Sequence, residues 1–359
     1  MSRLDELRSR IRRLDEAIVE LVALRTEVAR EIGREKKQAG IPLRDWNVER
    51  QVLERAGRLA EELRLPPEAV RSLMQVLIAT SRAEQERVAW SSYSGDAADI
   101  VIIGGAGKMG RWFVDFFGNQ GHRVRICDPA QREPGSAGTL AQATAGADFA
   151  LVATPLASVP KVIEQLVEGG FDGTIFDVAS LKSHLRPAVE RARAAGAGIT
   201  SIHPMFGPST RTLSDKVICV CDCGDPQATA RVEAFFADTA ATLVRLGFDQ
   251  HDRIISYVLG LSHLINLLFA KVLMASGLSY DEIQRVGSTT FHSQMETTAT
   301  VIRENPDLYY AIQRINPFSA ELREAVSREL AELSDWISND QRQDFVRMMH
   351  AARQWMNEQ

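Results

Sequence analysis

The stretch DIVIIGGAGKMGRW, residues 99–112, constrains the fold more than any other part of the chain. A short apolar run ends in glycines and gives way to a helical segment, which is how a βαβ unit begins. The spacing Gly105-x-Gly107-x-x-Gly110 permits a tight turn, close approach of backbone to a pyrophosphate and close packing of helix on strand. The amides that open the helix, at Lys108, Met109 and Gly110, would then face the phosphates. Asp128 ends the next strand-like run, VRICD, 18 residues after Gly110, where a carboxylate can accept from an adenosine ribose 2′-hydroxyl. It would repel a 2′-phosphate, so NAD is expected over NADP, although Arg132 close by argues the other way.

Further strand-like runs (FALVAT, GTIFDVAS, GITSIHP, VICVCD) alternate with helical segments to about residue 245 and predict a parallel α/β sheet. From HDRIISYVLGLSHLINLLFAKVLM to the end the pattern is helical, and too widely apolar for a single solvent-facing stripe, so this part should pack on a partner chain. Ahead of the sheet, Leu4, Leu7, Ile11, Leu14, Ile18, Leu21, Val28 and Ile32 keep a 3-4 repeat through one long helix. GIPLRD breaks it, a second helix is expected from about Asn47 to Leu63, and LPPEAV opens a third. Three such unequal helices cannot close a bundle alone and invite a second copy. The expected organisation is therefore an all-α three-helix domain (1–90), a linker (91–98), an α/β Rossmann-type domain (99–245) and an all-α C-terminal domain (246–359) that binds substrate and dimerises.

Composition removes several classes of function. With 42 basic and 47 acidic residues the net charge is −5, which gives no reason to expect a nucleic acid partner. No uninterrupted apolar run reaches the roughly 18 residues of a membrane span, so no membrane partner and a cytoplasmic location are expected. The cysteines of KVICVCDC (Cys219, Cys221, Cys223) alternate as in a buried strand rather than a metal knuckle, and no metal is expected.

SIHPMFGP places His203 at the carboxyl end of a strand, the edge at which open sheets bind ligands. DVASLKS brings Ser180 and Lys182 to the end of the preceding strand, and LGLSHLIN carries His263 in the helical part. Hydride transfer from an alcohol carbon to NAD needs a base for the hydroxyl proton, and imidazole serves near neutral pH.

GGAGKMG, DVASLK and HPMFGP, in this order and spacing, resemble the prephenate dehydrogenase family over about residues 99–350. The resemblance implies oxidative decarboxylation, with His203 accepting the hydroxyl proton, Ser180 bonded to His203 and substrate, and His263 beside the pyruvyl side chain. Members of this family joined to a mutase set an arginine against a substrate carboxylate. Counting back from NPDLYY, that position is Thr300, with Arg303 one turn later. A 3-hydroxyacid dehydrogenase would need a catalytic lysine on the helical domain, and Lys271, the nearest candidate, has no recognisable motif around it.

The first ninety residues carry chemistry as well. Arg25 stands where the apolar repeat of the first helix is due another hydrophobe, and a guanidinium on a seam calls for an anion. In the third helix Val70, Met74 and Leu77 are followed on the same stripe by Ser81 and Gln85. Arg8 and Lys36 lie roughly 40 Å apart along the first helix, too far to share one pocket within a chain. The plain alternative is a coiled-coil dimerisation arm with tolerated polar residues, attached to an NAD-sensing regulatory protein. The segment nevertheless resembles the all-helical chorismate mutase family. That resemblance implies Arg8 (from the partner chain), Arg25 and Lys36 at the substrate carboxylates and ether oxygen, and Glu49 at the ring substituent on carbon 4. It also implies Ser81 at a carboxylate and Gln85 at the ether oxygen, with Asp45 nearby.

Two departures fall together: Val48 replaces an arginine usual in the mutase family, and Thr300 one usual in the dehydrogenase. Both make their pockets less positive, as 4-amino-4-deoxychorismate and 4-amino-4-deoxyprephenate would favour, with 4-aminophenylpyruvate as the product. The hydroxyl substrates, chorismate and prephenate, remain the first expectation.

Overall fold

The computed structural model describes residues 2–39, 41, 45–90, 93, 95–131 and 140–357, with the side chains of Lys37, Trp46, Arg87–Trp90 and Gln131 left aside. Arg132 and Pro42 lie outside the described residues. The chain forms two compact units, residues 1–180 with 187–247, and 181–186 with 248–359.

The first unit opens with helices α1 (Arg3–Gln38), α2 (Trp46–Glu62) and α3 (Pro67–Trp90). Asp45 caps α2, its carboxylate accepting from the amides of Asn47 (3.0 Å) and Val48 (3.2 Å), a cap of the kind worth about 1 kcal/mol. The apolar repeat of α1 does not face α2 or α3. Leu4, Leu7, Ile11, Leu14, Ile18, Leu21, Val28 and Ile32 are all exposed, between 42% and 65%. The face on α3 is the small and polar one: Ala29 is buried, and a Cβ on Gly33 would come within 3.0 Å of the Gln85 Cα. A 36-residue helix that spends its hydrophobes on solvent has its stabilising contact elsewhere.

The α/β part runs β1 (Asp99–Ile103), α4 (Lys108–Asn119), β2 (Arg123–Cys127), α5 (Leu140–Thr144), β3 (Phe149–Val152), α6 (Val159–Glu168), β4 (Thr174–Asp177), α7 (Arg186–Ala194), β5 (Gly198–Pro204), β6 (Val217–Cys221), α8 (Pro226–Glu233) and β7 (Thr242–Leu246). The strands form one sheet in the order β2-β1-β3-β4-β5-β6-β7, parallel except for β5 against β6. That antiparallel pair, and the seventh strand, depart from the all-parallel, six-strand reading. The connection 205–216 has no crossover helix, so β6 can only return alongside β5 in the opposite direction. Phe113, Phe116 and Phe117 of α4 pack with Phe176 and Phe235 in the core against the sheet.

The second unit is helical: α9 (Phe248–Ile255), a π turn (Ser256–Leu261), α10 (Ser262–Ala275), α11 (Tyr280–Arg285), α12 (Thr289–Ile302), α13 (Pro306–Ile315), α14 (Ser319–Ser338) and α15 (Arg342–Asn357). The run Phe248–Ala275 is long and apolar enough to cross a membrane by length and composition, an 18-residue stretch of it having a mean hydropathy of 1.8. Counting uninterrupted apolar residues overlooks it, because Asp252, Arg253, His263 and Asn266 punctuate it. Tyr257, Val258, Val272 and Met274 on this run are exposed.

Candidate active sites

The turn after β1 is built by glycines for steric reasons. Gly104, which the motif spacing did not count, sits at φ +85°, and a Cβ there would lie 2.6 Å from the Ala153 carbonyl oxygen. A Cβ on Gly110 would strike the Gly104 carbonyl, and one on Gly105 would come within 2.7 Å of Ile126. Gly107 is the N-cap of α4, leaving the amides of its first turn without helical acceptors. Asp128 accepts from the Ala106 amide at 3.0 Å and from the Ala130 amide at 2.8 Å. Its carboxylate therefore holds the glycine turn and the β2 end together. This cradle lies beside the point where strand order reverses, β2 on one side of β1 and β3 on the other, and its bare backbone fits a dinucleotide pyrophosphate.

Ser180 and His203 lie along the same sheet edge. β4 and β5 are parallel, with Asp177 opposite Ser201, so Ser180 and His203 follow the paired segment of neighbouring strands. His203 is buried and Ser180 half-buried.

In the second unit His263 is buried and stacks on Tyr309 at 3.9 Å between ring centroids. Burial pushes its pKa down to about 4, so the imidazole is neutral across the physiological range. One turn on, Asn266 accepts from Gln294 (2.9 Å) and Thr298 (2.8 Å). Thr300 and Arg303 fall on the exposed side of α12 and at its C-terminal end, the Thr300 hydroxyl donating to the Glu296 carbonyl. The sequence reading missed a buried group here. The Asp252 carboxylate accepts from the amides of Lys182 (2.9 Å) and Ser183 (2.7 Å) and meets His251 Nδ1 at 2.7 Å. Burial alone would raise its pKa, but the bonds from His251, Ser183 and Lys182 outweigh it and hold the carboxyl below its usual value. An acidic residue directly after a histidine, at the head of the apolar run, was the available signal.

In α1–α3, Arg25 reaches across to α3, donating to the Leu77 carbonyl at 2.5 Å and to the Ser81 hydroxyl. Burial lowers its pKa, the mark of a guanidinium withdrawn from water. Gln85 lies one turn beyond Ser81 against Gly33, and the half-buried Lys36 one turn beyond Gly33. Arg25, Ser81, Gln85 and Lys36 thus follow one α1–α3 groove. Glu49 approaches α3 from α2, its carboxylate 3.3 Å from the Arg82 guanidinium. Arg8 is exposed, roughly 25 Å along α1 from Arg25. Among the described residues no group of His, Cys, Asp and Glu is arranged to hold a metal ion.

Chorismate mutase type II matches residues 7–86. The prephenate dehydrogenase nucleotide-binding domain matches 134–245, and the prephenate dehydrogenase dimerization domain 248–351. The chain is 24% identical over 358 residues to the T-protein of Enterobacter agglomerans, covering all of this chain and 94% of that one. It is also 24% identical over 268 residues to the 4-amino-4-deoxyprephenate dehydrogenase of Streptomyces pristinaespiralis, covering 70% of this chain and 89% of that one. Among solved structures it shares the fold of prephenate dehydrogenase from A. aeolicus, with a TM-score of 0.60 at 16% identity over 74% of this chain and 99% of that one. The chain therefore belongs to the chorismate mutase type II family through its first three helices and to the prephenate dehydrogenase family through its α/β and C-terminal helical parts.

Proposed function

We propose that the chain is a bifunctional enzyme of tyrosine biosynthesis that rearranges chorismate to prephenate on α1–α3. It then oxidatively decarboxylates prephenate to 4-hydroxyphenylpyruvate with NAD. The observation that carries this reading is that families for two consecutive reactions lie on one polypeptide.

A pericyclic rearrangement needs no nucleophile, only a dianion held in its reactive conformer and stabilisation of charge growing on the ether oxygen. Arg25 and Ser81 supply donors for a carboxylate, Lys36 and Gln85 for the ether oxygen, and Glu49 an acceptor for the carbon-4 hydroxyl. The exposed apolar stripe of α1 supports a homodimer, in which Arg8 of a second copy completes each pocket. Asp45 is the N-cap of α2, and we assign it a second role beside Glu49.

For the dehydrogenase, Gly104, Gly107, Gly110 and the amides of Lys108 and Met109 would hold the pyrophosphate, and Asp128 the ribose. NAD held there would supply the acceptor for the hydride that leaves carbon 4. His203 accepts the hydroxyl proton, and Ser180 orients the imidazole. The carbon–carboxylate bond breaks as its electron pair enters the ring, carbon dioxide leaves and aromaticity is gained. His263, neutral and buried, can donate a hydrogen bond to the pyruvyl side chain without adding a charge. Thr300 and Arg303 we assign to substrate binding. Reliance on NAD supports a cytoplasmic location. The domain limits proposed are 1–90, 99–245 and 246–359, with 91–98 as the linker.

A second reading, in which both substrates carry an amine at carbon 4, draws support from the Streptomyces relative and from Val48 and Thr300. The structure offers a reason to rank it second: Glu49, which would attract an ammonium, already faces the Arg82 guanidinium. Product identification tests the proposal. Purified protein given chorismate and NAD should yield 4-hydroxyphenylpyruvate, and without NAD should accumulate prephenate. Unconsumed chorismate would leave a regulatory protein with a dimerisation arm.

A further inference from the structure

The mutase family usually has an arginine where this chain has Val48, and the structure supplies a guanidinium from another helix. Val48 is 53% exposed, and Arg50 is exposed and donates to Asn47 at 2.8 Å. Arg82 instead reaches Glu49 from α3, one residue after Ser81. Its other terminal nitrogen, Nη2, lies 2.9 Å from the carboxylate of Asp215. Asp215 belongs to the loop 205–216 that runs from the His203 strand to β6. The loop is fixed: Trp112 Nε1 donates to the Thr210 carbonyl at 2.9 Å, and the buried Glu86 of α3 accepts from the Leu213 amide at 2.5 Å and from the Ser214 hydroxyl. Asp215 itself has positive φ, +61°, in the left-handed region that non-glycine residues seldom adopt. Arg82 is only 18% exposed and therefore shared between one carboxylate of the mutase helices and one of the nucleotide-binding domain.

We propose that Arg82 determines which substituent the mutase accepts at carbon 4, and that Asp215 tunes that choice by competing with Glu49 for the Arg82 guanidinium. The inference rests on the assignment of Glu49 to that substituent. With Arg82 beside it, Glu49 is a neutralised acceptor suited to a hydroxyl. Without Arg82 it loses that neutralising charge and suits an ammonium. Removing Asp215 leaves Arg82 freer to face Glu49 and pushes selectivity further towards the hydroxyl. Asp215 touches no reacting atom and acts as a positioning residue.

The experiment compares kcat/KM for chorismate and its 4-amino analogue in the mutase assay on the full-length chain, with thermal unfolding as the control for folding. Arg82→Met should shift the ratio at least tenfold towards the amine. Asp215→Asn should shift it about threefold the other way, chiefly through KM, and Asp215→Glu should restore it. The double variant should behave as Arg82→Met alone, because the tuning assigned to Asp215 runs through Arg82. A ratio unmoved by Asp215→Asn, or additive effects in the double variant, would overturn the proposal. Glu49→Gln separates this from the underlying site assignment: unchanged mutase turnover in that variant would remove Glu49 from the pocket, and the proposal with it.

Discussion

At the scale of single residues, His203 and Arg25 show how a side chain on a conspicuous position acquires chemistry from its surroundings. His203 is buried at the carboxyl edge of the sheet, beside the strand that leads to Ser180. His203→Asn should cut NAD reduction by about 10²–10⁴, the usual loss for a positioned base, while chorismate consumption stays largely intact. Retention of more than about a tenth of dehydrogenase turnover would remove it from the mechanism. Arg25 was legible as an anomaly in an apolar repeat, and its turn onto Ser81 resolves the anomaly. Gly104, Arg82 and Asp252 were not legible. A glycine's φ, a cation's choice among several carboxylates, and a carboxylate capping amides 69 and 70 residues away are all decided by tertiary geometry that spacing does not encode.

At the scale of elements, the helices and most strands could be read from periodicity, because each buries one side at a fixed repeat. The repeat reports which positions are apolar but not what covers them. On α1 the apolar side faces away from α3, and the polar side makes the intramolecular contact. The junction of α3 with the loop 205–216 was equally hidden, and it carries a pH dependence. Burial pushes the Glu86 carboxyl up to about 7, more than the opposing bonds from Leu213 and Ser214 and the Arg82 charge can offset, while Asp215 adds to the rise. A carboxyl raised in the folded state binds its proton more tightly there than in the unfolded chain. Its contribution to stability is therefore complete below the ordinary carboxylate pKa, near 4.5, and is lost as pH rises through about 7. Glu86→Gln, which keeps an acceptor for Leu213, should flatten the pH dependence of the melting temperature between about 4.5 and 7. A slope equal to that of the parent chain would show that Glu86 does not titrate in this window.

At the scale of the whole molecule, the mutase groove holds Arg25 but not Arg8, and the proposed homodimer would seat its second copy on the exposed stripe of α1. If each pocket takes Arg8 from one chain and Arg25 from the other, Arg8→Ala and Arg25→Ala should each be nearly inactive. Mixed after subunit exchange, they should regain part of the activity, since a heterodimer then keeps one intact pocket of two. No recovery would mean that both arginines serve the same chain's pocket. The sequence suggested three modules joined end to end. The three follow one another in that order, with one crossing: residues 181–186 group with the second unit, where the Lys182 and Ser183 amides cap Asp252. A gene cut at codon 248 would encode every C-terminal helix yet omit those two donors, leaving the buried Asp252 carboxylate two hydrogen bonds short with His251 still beside it. Severed there, the C-terminal helices should be recovered only as aggregates or a molten species. Evolutionary shuffling of this segment would have had to carry six upstream residues with it, or invent substitutes for them.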